Sequence, residues 1–234
     1  MNEDYSLNGA TNYVHFAICV LDFIRLDILY QDRKEIRMDK ERLDKQFEFF
    51  REIDKEKFIF RQNHLTDKKR AENDAEHAWH MAIMTVLLSE YANDEIDVLK
   101  TVTMLLIHDL VEIDAGDTYA YDEEGKKTQR ERETKAAERI FGILPKDQGD
   151  KLRGLWEEFE AYETKEAKFA HVMDNIQPAM LNAANDGKDW VRHGVHLEQI
   201  LKRNEKTAEG SETLWDYVYQ NMIEKKKKKG RIIN

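Results

Sequence analysis

Apolar positions recur three to four residues apart along most of the 234-residue chain. That is the spacing of one buried face of an α-helix. The pattern predicts helices over 12–31, 39–53, 74–92, 95–114, 126–142, 146–161, 165–185, 196–206 and 211–228. No segment sustains strand alternation, and no internal repeat is visible. With only 10 Gly and 2 Pro to break it, the chain reads as an all-α, single-domain helical bundle. Residues 116–127 (GDTYAYDEEGKK) form the longest clear gap in helical character, so a loop is expected directly after the helix ending near 114. Residues 1–37 read as an extension, helical over 12–31, ahead of a main domain at 38–234. Met38 is an alternative natural start, because MDKERLDKQFEFF opens a well-formed amphipathic helix.

Composition narrows the role. The formal charge of −10 argues against wholesale binding to a nucleic-acid backbone, which needs a basic surface. A small anionic substrate stays compatible, because a bound cation and one or two basic residues reverse the field locally. The most apolar stretch, 13–30, contains Asp22, Arg25 and Asp27 and makes a poor membrane span. Its apolar side chains pack on the protein or on a partner, and a homodimer is one expected assembly. Cys19 is the only cysteine, so no intramolecular disulfide is expected, which fits a cytoplasmic location. Lys225–Lys229 read as a solvated helix end that complements the helix dipole.

Three segments carry candidate chemistry. In RAENDAEHAWHMAIMTVLL (70–88), Asn73 or Asp74 caps a helix. His77, Met81, Met84 and Leu88 then share one face, which turns His77 inward. In VTMLLIHDLVEIDAGD (102–117), an apolar run gives way to His108, Asp109 and Glu112, and no basic residue within 102–117 offsets them. Buried carboxylates are expensive unless paired or bound to a cation. In EAKFAHVMDNIQPAM (166–180), Asp174 lies among core-facing positions, and Pro178 should loosen the helix one turn later. His77, His108, Asp109 and Asp174 make a plausible donor set for one divalent metal ion. A mixed His/carboxylate set suits Mn, Fe, Co, Ni or Zn better than an all-oxygen Mg site.

Together these residues resemble the HD superfamily of metal-dependent phosphohydrolases, named for the adjacent His108–Asp109. Glu112 and Asp117 are similar to the paired acids of its 5′-deoxynucleotidase group, and ENDAEHAWHMA to that group's first ligand segment. The resemblance covers roughly residues 40–220. It implies an HD-type helical domain and one divalent metal ion (Mn, Co, Fe, Ni, Zn or Mg) held by His77, His108, Asp109 and Asp174. It also implies hydrolysis of (deoxy)nucleoside 5′-monophosphates to nucleoside and phosphate. Glu112 is then expected to orient or deprotonate the water and Asp117 to position water or leaving group. Arg61 and Arg70 are the expected phosphate binders, ahead of Lys68 and Lys69. The chain departs from the group at FRQNHLTDKKR, where Gln62 stands in place of the Trp that follows the basic residue. The alternatives are an HD phosphodiesterase, a nucleotide triphosphohydrolase and a non-catalytic nucleotide-binding HD protein. A di-iron oxygenase would need a further ligand from His80 or His171.

Overall fold

The structure is a computed structural model that describes residues 40–234. The expected helix at 12–31, Cys19 and the boundary at Met38 lie outside the described residues. Helix α1 (Lys40–Ile53) opens with exposed i,i+4 pairs, Lys40–Asp44 at 2.6 Å and Glu41–Lys45 at 3.2 Å. Residues Glu48–Asn234 form one compact unit.

A 3₁₀ turn at Asp54–Phe58 leads into strand β1 (Phe60–His64), which pairs antiparallel with β2 (Ala71–Asn73). The sequence pattern did not predict these strands. FRQNH has no apolar alternation, and its extended form is held instead by polar contacts. The His64 backbone N–H donates to Asp189 Oδ2 at 2.8 Å, and Asn182 Nδ2 donates to Asn63 Oδ1 at 3.4 Å. The hairpin ends at Asn73, which caps helix α2 (Asp74–Leu88) through a capping box with Glu76. Each side chain there satisfies a backbone N–H that the helix start leaves unpaired.

The helix expected over 95–114 is broken. Helix α3 (Val98–Ile107) stops at His108, a 3₁₀ turn follows over His108–Val111, and α4 (Glu112–Ala115) completes the segment. The cause is local. His108 Nδ1 donates to the Leu105 carbonyl at 2.9 Å, the acceptor a continuing α-helix would offer to the Asp109 N–H. Gly116, at φ 74°, ψ 146°, ends α4 in a backbone region that favours glycine. The following loop is shorter than expected, because Asp122 caps α5 (Glu123–Phe141) by accepting from the Glu124 and Gly125 N–H groups.

Helices α6 (Lys146–Ala161) and α7 (Lys165–Ala184) follow, and then α8 (Lys188–Arg192), α9 (Leu197–Arg203), α10 (Thr207–Gly210) and α11 (Glu212–Val218). The helix expected over 211–228 passes through a π turn at Tyr219–Ile223 before α12 (Glu224–Lys228). Helices α8 and α10 are too short to show a period. Helix α7 is the spine of the larger apolar cluster, where Phe169, Ala170, Met173 and Ile176 pack with Met81, Met104, Trp190 and Ile200. The chain stays helical through Pro178, whose missing N–H leaves the Asp174 carbonyl without its helix bond. A second cluster joins Phe49, Ile107, Leu110, Ile140, Phe141 and Trp156. Of the terminal lysines, Lys228 is exposed as expected, but Lys226 is 13% exposed in its side chain and pairs with Asp186 at 2.8 Å. Among the described residues, no helix is long and apolar enough to cross a membrane.

Candidate metal centre and active site

The three segments converge. His77, on the second turn of α2, is fully buried. Its Nδ1 donates to Gln177 Oε1 at 3.0 Å, and its Nε2 lies 3.1 Å from Asp174 Oδ1. His108 has its Nδ1 committed to the Leu105 carbonyl. Its Nε2 lies 3.0 Å from Asp109 Oδ1 and 4.0 Å from Asp174 Oδ1, with no hydrogen-bond partner. Both imidazoles thus anchor one nitrogen on the protein and turn the other toward the same carboxylates, which is how metal-ligating histidines are held. Donor atoms of His77, His108 and Asp109 fall within 4.8 Å of one another; Asp174 lies outside that group, with its Oδ1 3.1 Å from His77 Nε2 and 4.0 Å from His108 Nε2.

Two guanidinium groups border this cluster. Arg61 Nη1 donates to Asp74 Oδ1 at 3.1 Å and to Asp109 Oδ2 at 2.8 Å, and its Nη2 lies 4.0 Å from Asp174 Oδ1. Arg203, at the end of α9, donates to Asp174 Oδ2 at 2.9 Å. The charges answer one another. Burial alone would push the imidazoles toward neutrality, yet the Asp109 and Asp174 charges raise His108 to about 9. Burial works against ionised Asp174 as well, but Arg203 and the two histidines hold it well below the usual carboxylate range. Burial, with the Asp109 and Asp74 charges, raises Glu112 well above that range, and burial foremost raises Asp74 to about 7 and Glu56 to about 8. The centre concentrates carboxylates around one small volume and draws protons and guanidinium groups to balance them. A divalent cation suits that volume: the donors are nitrogen and oxygen, and the Nε2 of buried His108 has no hydrogen-bond partner.

The centre opens into a cavity of about 510 Å³. Arg61, His108, Asp109, Glu112, Asp117 and Asp174 line one end of it. Glu112 presents a buried Oε2 with no protein partner. Burial raises Asp117, which sits just past Gly116. Arg70 is not brought to the centre. It lies beyond the hairpin turn, is half exposed, and its Nη1 donates to Glu76 Oε2 at 2.8 Å. Lys68 and Lys69 do not line the cavity either. Neither spare histidine belongs to the donor group within 4.8 Å. His80 Nδ1 accepts from Gln177 Nε2 at 3.2 Å, and His171 Nε2 donates to the Phe159 carbonyl at 2.9 Å.

Several residues here were not singled out from the sequence. Gln177 links His77 to Glu72, donating to its Oε1 at 2.6 Å. Glu72 belongs to the ENDAEH motif, so its position carried a signal. Asp74 was read as a possible cap, but Asn73 does the capping and Asp74 is fully buried against Arg61. Arg203 had no signal, as one basic residue among several in LEQILKRNEK.

The HD domain family matches residues 53–215, and the chain belongs to it. The fold agrees closely with a crystal structure described as a predicted metal-dependent phosphohydrolase from Magnetospirillum magnetotacticum MS-1. That chain is 43% identical, with a TM-score of 0.80, and the match covers 84% of this chain and 98% of that one. The chain is also similar to 5′-deoxynucleotidase HDDC2 of Homo sapiens, 31% identical over 121 residues, which are 52% of this chain and 57% of that protein. The Dictyostelium discoideum protein of the same name is 30% identical over 111 residues, 45% of this chain and 58% of that one. The chain spans a little over half the length of these curated relatives.

Proposed function

We propose that this protein is a divalent-metal-dependent phosphomonoesterase that hydrolyses (deoxy)nucleoside 5′-monophosphates to nucleoside and phosphate. The observation that carries the reading is the pair of buried imidazoles in a cavity wall, each tied through Nδ1 and turned through Nε2 to shared carboxylates. The relatives support it through their names, one a phosphohydrolase and the others 5′-deoxynucleotidases. His77, His108, Asp109 and Asp174 would hold one ion, drawn from Mn, Fe, Co, Ni, Zn or Mg. When bound, the ion supplies Lewis-acid polarisation of a phosphoryl oxygen and a lowered water pKa.

The chain's own residues supply the rest. Glu112, whose buried Oε2 has no hydrogen-bond partner in the cavity wall, takes a proton from the attacking water as its ionised carboxylate. The water oxygen bonds to phosphorus, the P–O bond to the nucleoside breaks, and the departing alkoxide takes the proton that Glu112 removed from the water. Asp117 orients the water or that leaving oxygen. Arg61 steadies the phosphate from beside Asp109, and Arg203 replaces Arg70 as the second candidate because it lines the cavity. The partner is a small phosphorylated molecule. A cytoplasmic location and a homodimer belong to the same proposal, resting on the single cysteine and the apolar 13–30 stretch. Residues 38–234 are read as the catalytic domain and 1–37 as an extension.

The test is phosphate release by the metal-loaded protein from deoxynucleoside and nucleoside monophosphates, cyclic dinucleotides and nucleoside triphosphates. Release from monophosphates is expected. Turnover confined to diesters or triphosphates, or none with any of the six ions, overturns the reading.

A further inference from the structure

The cavity has a second end, and its chemistry differs from that of the first. Carboxylates, imidazoles and guanidinium groups crowd the metal end. The walls also carry the rings of Tyr119, Tyr121 and Trp190, the carboxamides of Asn63 and Asn182, and the buried carboxyl of Asp189, which already accepts from the His64 N–H and from Asn185 Nδ2. Among the described residues, three cavity-lining side chains hold a buried polar atom with no hydrogen-bond partner: His108 Nε2, Glu112 Oε2 and Asn182 Oδ1. The metal chemistry accounts for the first two. Asn182, 3% exposed, is left over, and an unsatisfied buried acceptor calls for a donor from elsewhere.

The orientation of this amide is set by its neighbours. Asn182 Nδ2 lies 3.1 Å from the Pro178 carbonyl oxygen and 3.4 Å from Asn63 Oδ1. Both are acceptors, so the nitrogen faces them and Oδ1 is the side without a partner. Asn63 has its oxygen turned to Asn182, which leaves its Nδ2 as a donor. The pair therefore offers one acceptor and one donor, both uncharged.

Two elements fix the distance between the ends. On α7, Asp174 and Asn182 are eight residues apart, hence about 80° apart around the helix and about 12 Å apart along its axis, and both line the cavity. On β1, Arg61 and Asn63 are two residues apart and share a face of the strand. Each element carries one residue at the metal end and one amide. A ligand spanning both ends presents an anion to the first and a flat, neutral, hydrogen-bonding group to the second. An extended nucleoside monophosphate has that length and that division of chemistry.

We propose that Asn63 and Asn182 form a recognition site for the nucleobase, with the carboxamides hydrogen-bonding the base edge beside the Tyr119, Tyr121 and Trp190 rings. Aromatic rings beside a base add stacking that tolerates any base. The choice of probe rests on the phosphomonoesterase reading. The test compares a deoxynucleoside 5′-monophosphate with 2-deoxyribose 5-phosphate, which keeps the phosphate and sugar but lacks the base. Wild type is expected to favour the nucleotide in kcat/KM, and Asn182→Leu to lower that preference about tenfold, through KM. Asn63→Ala, at a half-buried strand position, should act in the same direction and guards against a folding defect in Asn182→Leu. Equal kcat/KM for both compounds in wild type overturns the proposal. So does an unchanged ratio in both variants, because a merely structural role lowers the two activities together. Calorimetric binding of the same two compounds to the metal-loaded protein reads the preference without turnover. If no monoester is hydrolysed but the nucleotide still binds more tightly and loses that advantage in the variants, the recognition site stands while the assigned reaction falls. Equal binding of the two compounds to wild type sinks it.

Discussion

Asp109 and Glu112 sit one turn apart yet should fail in different ways. Asp109 touches His108 and Arg61 and is one of the proposed cation ligands, so Asp109→Ala should lose both bound metal and activity. Glu112 lines the cavity outside the donor group, so Glu112→Gln should keep its metal and lose about a hundredfold or more in kcat. Metal content by mass spectrometry, read beside phosphate release, separates the two; equal metal loss in both would contradict the roles. The four proposed ligands were legible because His and Asp stand out in apolar runs. Gln177, Asn182 and Arg203 were not, since a polar residue on a mixed helix looks the same whether it faces solvent or a buried cavity. Arg70 misled for the opposite reason. It is close to Arg61 along the chain, but the hairpin turn between them sends its guanidinium to Glu76 on the surface.

At the scale of elements, helix α10 presses its backbone against α7. A Cβ on Gly210 would meet the Lys168 carbonyl oxygen and Val172 Cγ2, each at 2.6 Å. Gly210→Ala should therefore lower stability by about 1–3 kcal/mol, as overpacking does. Chemical denaturation checks this, and an unchanged midpoint would show that α10 can shift. The long helices were readable from periodicity because each buries a continuous stripe. What escaped were elements held by side-chain contacts. β1 is fastened through Asp189 and Asn182, and α3 is ended by the His108 ring bonding to a carbonyl of its own helix. Such contacts depend on residues more than a hundred positions away, or on the tautomer of one ring, and neither leaves a period.

Across the whole molecule, the C-terminal end is tied back by charge. Asp186 accepts from Lys226 at 2.8 Å and from Arg231 at 2.6 Å. These bonds hold the Asp186 carboxyl at about 2, below the ordinary 3.8. A carboxylate depressed on folding stabilises the fold above its unfolded pKa, and that contribution fades as pH falls through the folded value. The contribution of Asp186 should thus be complete above about pH 4 and vanish toward pH 2. Thermal melts of wild type and Asp186→Asn should differ at pH 5 and converge at pH 2. A difference that persists at pH 2 would assign the effect to packing.

Helix α7 also constrains how this protein can change over time. Asp174 and Asn182 belong to one uninterrupted helix, so their relative phase is rigid. Inserting a single residue between them would swing one about 100° around the axis relative to the other. In the proposed roles, selectivity at Asn182 and reactivity at Asp174 are therefore geared together: drift can exchange side chains at either position, but it cannot lengthen the gap between them by small steps. A lineage that came to accept a longer substrate would have to recruit a different element, and the short loop after Gly116, which brings Asp117, Tyr119 and Tyr121 to the cavity wall, is the segment free to grow.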